Sequence, residues 1–243
     1  MMSENIFLQS VFFKSENLFI FATDYNNIKN TSDMKKVASL LVLALAGLSL
    51  NAQNIKLPEP KKEGGESILK TLAIRQSDRS FKDGDISLQD LSTILWAGFG
   101  YSHGEKRTAP TAMNRQDISL YVFLEQGIYL WNAKDNVLEL IKKGDYRKDT
   151  DRPNGFASKV TNIAIVSDLD KYDVKKNHHT AYTFGVMSAA YVSENMYLTA
   201  DGMQKNIGTV TRYGGHQEKE VAEILGLSEY QRILLFQTVG YKN

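Results

Sequence analysis

Two arginines and a serine within five residues form the first group of side chains that could do chemistry. Arg75, Ser77 and Arg79 follow a predicted helix. Guanidinium groups stay charged at any working pH and present planar sets of donors, which suit a phosphate or another anionic edge. The serine hydroxyl adds a further donor. The spacing also fits a solvated basic face at a helix end, so the chemical interpretation depends on the rest of the chain.

Two later segments could complete such a site. One contains Pro110, whose ring stiffens a turn between small neighbours, although a plain loop is the alternative. The other ends at Gly214, where the absence of a side chain permits a close approach, although an ordinary strand end is the alternative. Tyr101, Tyr213 and His216 could donate protons or stack on a ligand, but a surface position is the simpler interpretation of each.

Composition excludes several classes of site. The 243 residues carry 29 basic and 28 acidic side chains, so no strong field indicates nucleic acid or an anionic membrane as a partner. Cysteine is absent, which excludes disulfides, thiolate metal sites and cysteine nucleophiles. The adjacent pair His178 and His179 does not predict a metal site, because the two side chains point in different directions and no carboxylate lies at ligand spacing.

The first part of the chain is predicted to address the protein rather than to fold with it. After Met34, two lysines precede an apolar stretch that ends in small residues, which is the pattern of a signal peptide over 34–52. The stretch is shorter than the roughly 20 residues that a helix needs to cross a bilayer, so a retained anchor is the weaker alternative. Residues 1–33 are either a misassigned upstream segment or an N-terminal extension. We therefore expect an exported, periplasmic protein without a stable membrane anchor after cleavage.

Residues 53–66 contain two prolines and two glycines and are predicted to be a linker, with the folded domain over 67–243. Within the domain, hydrophobic periodicity predicts helices at Ser67–Ile74, Ser87–Trp96, Thr180–Ala200 and Glu218–Leu225. Strands are predicted at Ile118–Leu124, in a hairpin over 127–141, at Asn162–Val166 and at Ile233–Val239.

This order of elements does not alternate strictly as βαβ, so it predicts an α+β domain with a central mixed sheet flanked by helices. The long third helix is apolar around much of its surface, which predicts burial in the core or in a subunit interface. Neither GxGxxG nor GxxxxGK[ST] is present, so dinucleotide-fold dehydrogenases and P-loop enzymes are not indicated.

Four segments, in this order, resemble the nitroreductase superfamily and, within it, the SagB-type dehydrogenase/oxidase branch. RQSDRSF at 75–81 is similar to the flavin-binding pattern RRSxRxF. LWAGFG at 95–100, followed by RTAPTAMN at 107–114, resembles LLWAAxG and RTAPSAGN. LIKKGD at 140–145 ends a hairpin typical of the branch, and IGTVTRYG at 207–214 is similar to LGTVxRG.

The resemblance implies a nitroreductase-like fold, an intertwined homodimer, FMN as the cofactor and NAD(P)H as the reductant. It places Arg75 and Ser77 near the phosphate and ribityl chain and Arg79 near the edge of the flavin ring, and it includes Gln76 among the cofactor-binding residues. The segment that would reach the flavin of the opposite subunit contains Pro110, Thr111, Ala112 and Asn114. The segment that would lie over the ring, with a backbone N–H bonded to N5 and room for substrate, contains Thr211, Arg212, Tyr213 and Gly214.

The resemblance also implies a ping-pong reaction, in which hydride passes from NAD(P)H through flavin N5 to a small electron-poor acceptor such as a nitroaromatic or a quinone. The cofactor would carry the chemistry, so no catalytic triad is expected, with Tyr213 as a candidate proton donor. Two alternatives stay open. The chain could be a SagB-type oxidase of azoline rings in modified peptides, or a flavin-binding or partner-binding protein without turnover.

Overall fold

The computed structural model describes residues 54–151, 155–214 and 218–243. The predicted signal peptide, the segment before it and His216 lie outside these residues. The helices are α1 (Ile68–Ile74), α2 (Leu88–Phe99), α3 (His178–Gly202) and α4 (Glu218–Leu225). The strands are β1 (Ile55–Lys56), β2 (Ile118–Leu124), β3 (Gly127–Asn132), β4 (Val137–Lys143), β5 (Thr161–Asp168), β6 (Ile207–Tyr213) and β7 (Gln231–Tyr241).

The strands form one sheet in the order β1-β4-β3-β2-β5-β7-β6. Its α+β class is confirmed. Each pairing between these strands is antiparallel, so the sheet is antiparallel rather than mixed as predicted, and the described parallel bridge, Gly84 with Val160, lies outside the strands. A helical crossover such as α3 commonly joins two neighbouring parallel strands. Here β7 pairs with both β5 and β6 and separates them, so the two strands joined by α3 never become neighbours.

Serine caps explain where the first two helices begin. Ser67 Oγ accepts a hydrogen bond from the backbone N–H of Lys70 at 3.3 Å, and Ser87 Oγ accepts one from Asp90 at 3.2 Å. Each hydroxyl satisfies a donor that the helix itself leaves unpaired. Strand β2 has the predicted bounds, and β3 and β4 form the predicted hairpin.

The segment predicted as a linker packs on the domain. Ile55 and Lys56 pair with β4, and Leu57 is buried. The carbonyl oxygen of Pro58 accepts hydrogen bonds from Ser92 Oγ at 2.5 Å and Asn136 Nδ2 at 2.8 Å. Prolines and glycines exclude helix and most strand pairing here, but they do not prevent an extended chain from docking on α2.

Helices cover both faces of the sheet. Leu120, Val122 and Leu124 of β2 point into a core shared with α2 and α3, whereas Tyr121 and Phe123 pack on the other face with α4. This alternation follows from the two-residue period of a strand. Among the described residues, no helix combines the length and the apolar character that a membrane crossing requires.

Helix α3 lies close to the sheet on one side and is uncovered on another. At Gly185, a Cβ atom would come within 2.7 Å of Ser167 Oγ on β5, so only glycine permits this approach. Its opposite surface exposes Val186, Met187, Ala190 and Tyr191 at helical spacing. A stripe of this kind is typical of a surface that another protein chain covers.

Candidate active site

The segment 75–79 is attached to the edge strand β6. The backbone N–H of Asp78 donates to the carbonyl oxygen of Thr209 at 3.0 Å. A Cβ atom on Gly208 would lie 2.7 Å from Asp78 Cβ, so glycine is required for the segment to lie this close to the strand. Two of the segments that carry the family resemblance therefore meet in space, although they are about 130 residues apart in the chain.

Tyr197 of α3 joins the same two segments through its hydroxyl. Thr211 donates its backbone N–H to Tyr197 Oη at 2.8 Å, and Ser77 Oγ lies 2.9 Å from the same oxygen. The guanidinium carbon of Arg75 lies 5.3 Å from the centroid of the Tyr197 ring, a distance at which a cation is attracted to the ring face. The sequence shows Tyr197 only as an aromatic residue of a long helix, so its role at the site was not predicted.

The donors of the segment 75–79 face solvent to different degrees. Arg79 is exposed and its guanidinium makes one long contact, 3.5 Å to the carbonyl oxygen of Ser77. Gln76 donates from its side chain to Asp78 Oδ1 at 3.1 Å and from its backbone to Asp201 Oδ2 at 3.4 Å. Gln76 therefore orders the segment internally, whereas Arg79 can turn toward a ligand.

Two carboxylates and a lysine lie beside these donors. Lys242 Nζ is 3.7 Å from Asp78 Oδ2 and 3.9 Å from Asp201 Oδ1. Burial raises the pKa of Asp201, and the N–H of Gln76 and the charge of Lys242 partly oppose that rise. The three cations Arg75, Arg79 and Lys242 outnumber the two carboxylates, so the cluster is suited to an anion. Lys242 was not predicted, because it follows the last strand without a recognisable motif.

Thr211 and Arg212 point to opposite faces of the sheet, as neighbours in a strand must. Thr211 Oγ1 is 2.5 Å from Ser193 Oγ of α3, on the face of Tyr197. Arg212 instead donates to Asn162 Oδ1 at 2.8 Å and Thr238 Oγ1 at 2.9 Å, and burial lowers its pKa. The guanidinium of Arg212 is held inside the protein, so only its backbone stays a candidate for contact with a cofactor.

The end of β6 presents an exposed tyrosine and a buried glycine. Tyr213 is 63% exposed. Burial raises the pKa of Tyr182 of α3, and the neighbouring Tyr213 raises it further. A Cβ atom on Gly214 would lie 2.5 Å from the carbonyl oxygen of Ile233. Glycine at 214 is therefore needed for packing against β7, which the prediction of substrate room did not foresee.

The segment 110–114 lies away from the junction between the segment 75–79 and β6. Pro110, Met113 and Asn114 are exposed, and Thr111 Oγ1 accepts a hydrogen bond from the N–H of Gln116 at 2.9 Å. Ala112 packs against a cluster that includes Tyr172 and Ala181, near the start of α3.

The segment 110–114 packs near the start of α3, whereas the segment 75–79 contacts Tyr197 near the end of that helix. Ala181 and Tyr197 are 16 residues apart on α3, which is about 24 Å along the helix axis. Across the described ranges, no hydrogen bond joins 110–114 to 75–79. The structure thus brings together the first and last predicted segments, but not the middle one.

Most of the described chain matches a known protein family. A model of the Nitroreductase family matches residues 72–241, which includes every segment just described. The chain belongs to the nitroreductase family. Membership makes it an oxidoreductase, which confirms the predicted class of enzyme. No curated protein sequence matches the chain.

Solved structures share the fold of this nitroreductase-family chain. A protein assigned as a nitroreductase from Ralstonia eutropha JMP134 is 29% identical with a TM-score of 0.69, over 78% of this chain and 90% of that one. A second, from Anabaena variabilis ATCC 29413, is 20% identical with a TM-score of 0.63, over 78% of this chain and 42% of that one. The Escherichia coli microcin synthetase McbBCD complex with truncated pro-MccB17 contains a chain that is 16% identical with a TM-score of 0.56, over 83% of this chain and 82% of that one.

Other candidate side chains of the nitroreductase-family chain have structural partners. Tyr101 lies under Arg107, whose guanidinium carbon is 3.9 Å from the centroid of the tyrosine ring. The ring of His178 stacks on that of Tyr182 at 6.3 Å. Among the residues that the structure describes, no three histidine, cysteine, aspartate or glutamate side chains are grouped as a metal site would require.

The donors beside β6 fit the cofactor that the family resemblance implies. A flavin mononucleotide carries a phosphate dianion and a ring edge that becomes negative on reduction. Arg75 and Ser77 offer donors for the phosphate, and Arg79 offers an exposed guanidinium for the second position. The junction of 75–79 with β6 places these donors beside the strand whose backbone would meet the ring.

Proposed function

We propose that this chain is an FMN-dependent oxidoreductase that takes hydride from NAD(P)H and passes it to a small electron-poor acceptor such as a nitroaromatic or a quinone. The observation that carries the proposal is the junction between the segment 75–79 and β6. The donors Arg75, Ser77 and Arg79 lie there beside the edge of β6, in a segment held by Asp78 N–H on Thr209 and by the hydroxyl of Tyr197.

In this proposal the protein binds and orients the cofactor. Arg75 and Ser77 would hold the phosphate and ribityl end, and the charge of Arg79 would stabilise the reduced ring, whose N1 to O2 edge becomes negative. When bound, FMN supplies hydride acceptance and donation at N5, which no side chain of the protein can provide.

The edge of β6 supplies the backbone donor. Thr209 and Thr211 direct their backbone groups away from β7, toward Asp78 and Tyr197. Alternate residues of an edge strand share this direction, so the next N–H on the free edge belongs to Tyr213. The N–H of Thr211 is already bonded, and we therefore assign the contact with N5 to Tyr213 rather than to Thr211.

We propose that the active unit is a homodimer. The exposed stripe of Val186, Met187, Ala190 and Tyr191 supports it, because a monomer would leave this apolar surface in water. The separation between the segment 110–114 and Tyr197 supports it as well. A segment that cannot reach the site in its own subunit can still serve the site of a neighbour.

We also propose that the protein is exported to the periplasm through the signal at 34–52. The support is the pattern of lysines, apolar run and small residues after Met34. Cell fractionation followed by N-terminal sequencing tests this proposal: a mature chain that begins near residue 53 is expected, and a cytoplasmic chain that begins at Met1 would contradict it.

The enzymatic proposal is tested by loading the purified protein with FMN and measuring oxidation of NADH and NADPH with menadione or nitrofurazone as the acceptor. We expect turnover that depends on both FMN and the acceptor. FMN binding without turnover would favour a peptide azoline oxidase or a non-catalytic binding protein. A colourless protein that binds no FMN would refute the assignment of the site.

A further inference from the structure

We propose that Tyr197 is a positioning residue that directs the hydroxyl proton of Ser77 toward the cofactor phosphate, an inference that rests on the proposed function. Tyr197 lies in α3, outside the segments that carry the family resemblance, and is 7% exposed. Its oxygen is the meeting point of the backbone N–H of Thr211 and the side chain of Ser77.

The direction of the hydrogen bond between Tyr197 and Ser77 follows from that of the hydrogen bond between Thr211 and Tyr197. Thr211 N–H can only donate, so Tyr197 Oη accepts from it at 2.8 Å. If Ser77 also donated to Oη, the phenolic proton of this buried side chain would have no acceptor, which is costly. Across the residues that the structure describes, Oη has no third hydrogen-bond partner. Tyr197 therefore donates to Ser77 Oγ across 2.9 Å.

Because Tyr197 is the donor in this bond, the hydroxyl proton of Ser77 is free to point outward. Ser77 is exposed, and the neighbouring guanidinium of Arg75 lies over the Tyr197 ring at 5.3 Å. A chain of hydrogen bonds in one direction strengthens its last donor, because each bond polarises the next. The end of this chain is thus a hydroxyl donor beside a cation, which suits an anionic phosphate oxygen better than a neutral ribityl hydroxyl.

The inference predicts an effect that is selective for the phosphate. Tyr197→Phe keeps the ring under Arg75 and removes only the hydroxyl. We expect the Kd for FMN to rise about tenfold and the Kd for riboflavin, which lacks the phosphate, to change less than about twofold. Quenching of flavin fluorescence on titration with the protein measures both constants.

Tyr241→Phe is the matched control. Tyr241 Oη accepts from the N–H of Ser87 at 3.3 Å and donates to Asp90 Oδ2 at 2.9 Å, so its hydroxyl also bridges a backbone donor and a side chain. The hydroxyl of Tyr241, which is the last residue of β7, reaches the start of α2, and its removal is expected to leave both flavin affinities unchanged.

Ser77→Ala completes the test. Because Tyr197 acts through Ser77, the double variant should bind FMN no more weakly than Ser77→Ala alone. Equal losses for FMN and riboflavin in Tyr197→Phe, or losses that multiply in the double variant, would overturn the inference. If Tyr197→Phe does not fold, Ser77→Ala decides alone, since equal loss of both flavins contradicts a phosphate donor. A parent protein that binds neither flavin would instead refute the proposed function.

Discussion

Substitution of Gly208 by alanine should separate the cofactor segment from β6. The backbone of Gly208 is not in the left-handed region, so alanine can adopt its conformation. The new Cβ atom, however, would lie 2.7 Å from Asp78 Cβ, 2.8 Å from its Oδ2 and 2.9 Å from its Cγ. Optimal carbon contacts are about 3.5–4.0 Å, so the segment that contains Asp78 must move away by about 1 Å.

That movement would break a hydrogen bond and weaken the binding of FMN. The hydrogen bond from Asp78 N–H to the carbonyl oxygen of Thr209, now 3.0 Å, would lengthen to about 4 Å and be lost. Overpacking of this kind costs about 1–3 kcal/mol, and a typical hydrogen bond contributes about 1 kcal/mol. FMN binding must restore the displaced segment, so a penalty of about 1–3 kcal/mol raises the Kd for FMN roughly 5- to 150-fold.

The measurement is an FMN titration together with urea unfolding of the parent and the variant. Gly127→Ala serves as the control, because its Cβ atom would lie 2.8 Å from the carbonyl oxygen of Lys142, in the hairpin of β3 and β4 and away from the cofactor segment. We expect Gly127→Ala to keep the parent affinity for FMN. A Gly208→Ala protein with the parent affinity and the parent unfolding midpoint would show that the segment 75–79 does not depend on contact with β6.

Further changes test the site from other directions. Arg75→Ala with Arg79→Ala should lose bound FMN and keep the circular dichroism spectrum, and a fully yellow double variant would contradict their role. Tyr213→Pro removes an edge N–H that Tyr213→Ala keeps, so flavin reduction by NADH should be slower in the proline variant by about tenfold or more. Burial raises the pKa of Asp201. The native state therefore holds this proton more tightly than the unfolded chain, and stability is lost as pH rises through that pKa. Asp201→Asn should thus gain stability over the parent at pH 7 but not at pH 3, and equal urea midpoints at pH 7 would contradict this. Tyr191→Glu should convert a dimer to a monomer in light scattering, and an unchanged mass would argue against the α3 interface.

The sequence alone determined most of the elements and the family. Hydrophobic periodicity depends on neighbours in the chain, so α2, β2 and the hairpin were predicted close to their observed bounds. The order of four local motifs likewise sufficed for the family assignment, because each motif is contiguous. The linker was less predictable, since the docking of Leu57 on the domain depends on a surface that distant residues create.

Only the tertiary structure decided how the site is assembled. Strand β7 inserts between β5 and β6 and keeps them from pairing in parallel, an arrangement of distant segments that no local pattern encodes. The same long-range pairing turns Arg212 inward and places Tyr197 between Ser77 and Thr211. Residue type and spacing show which side chains could bind an anion. Which of them share a face, and which donors are already satisfied, depends on contacts between residues far apart in the chain.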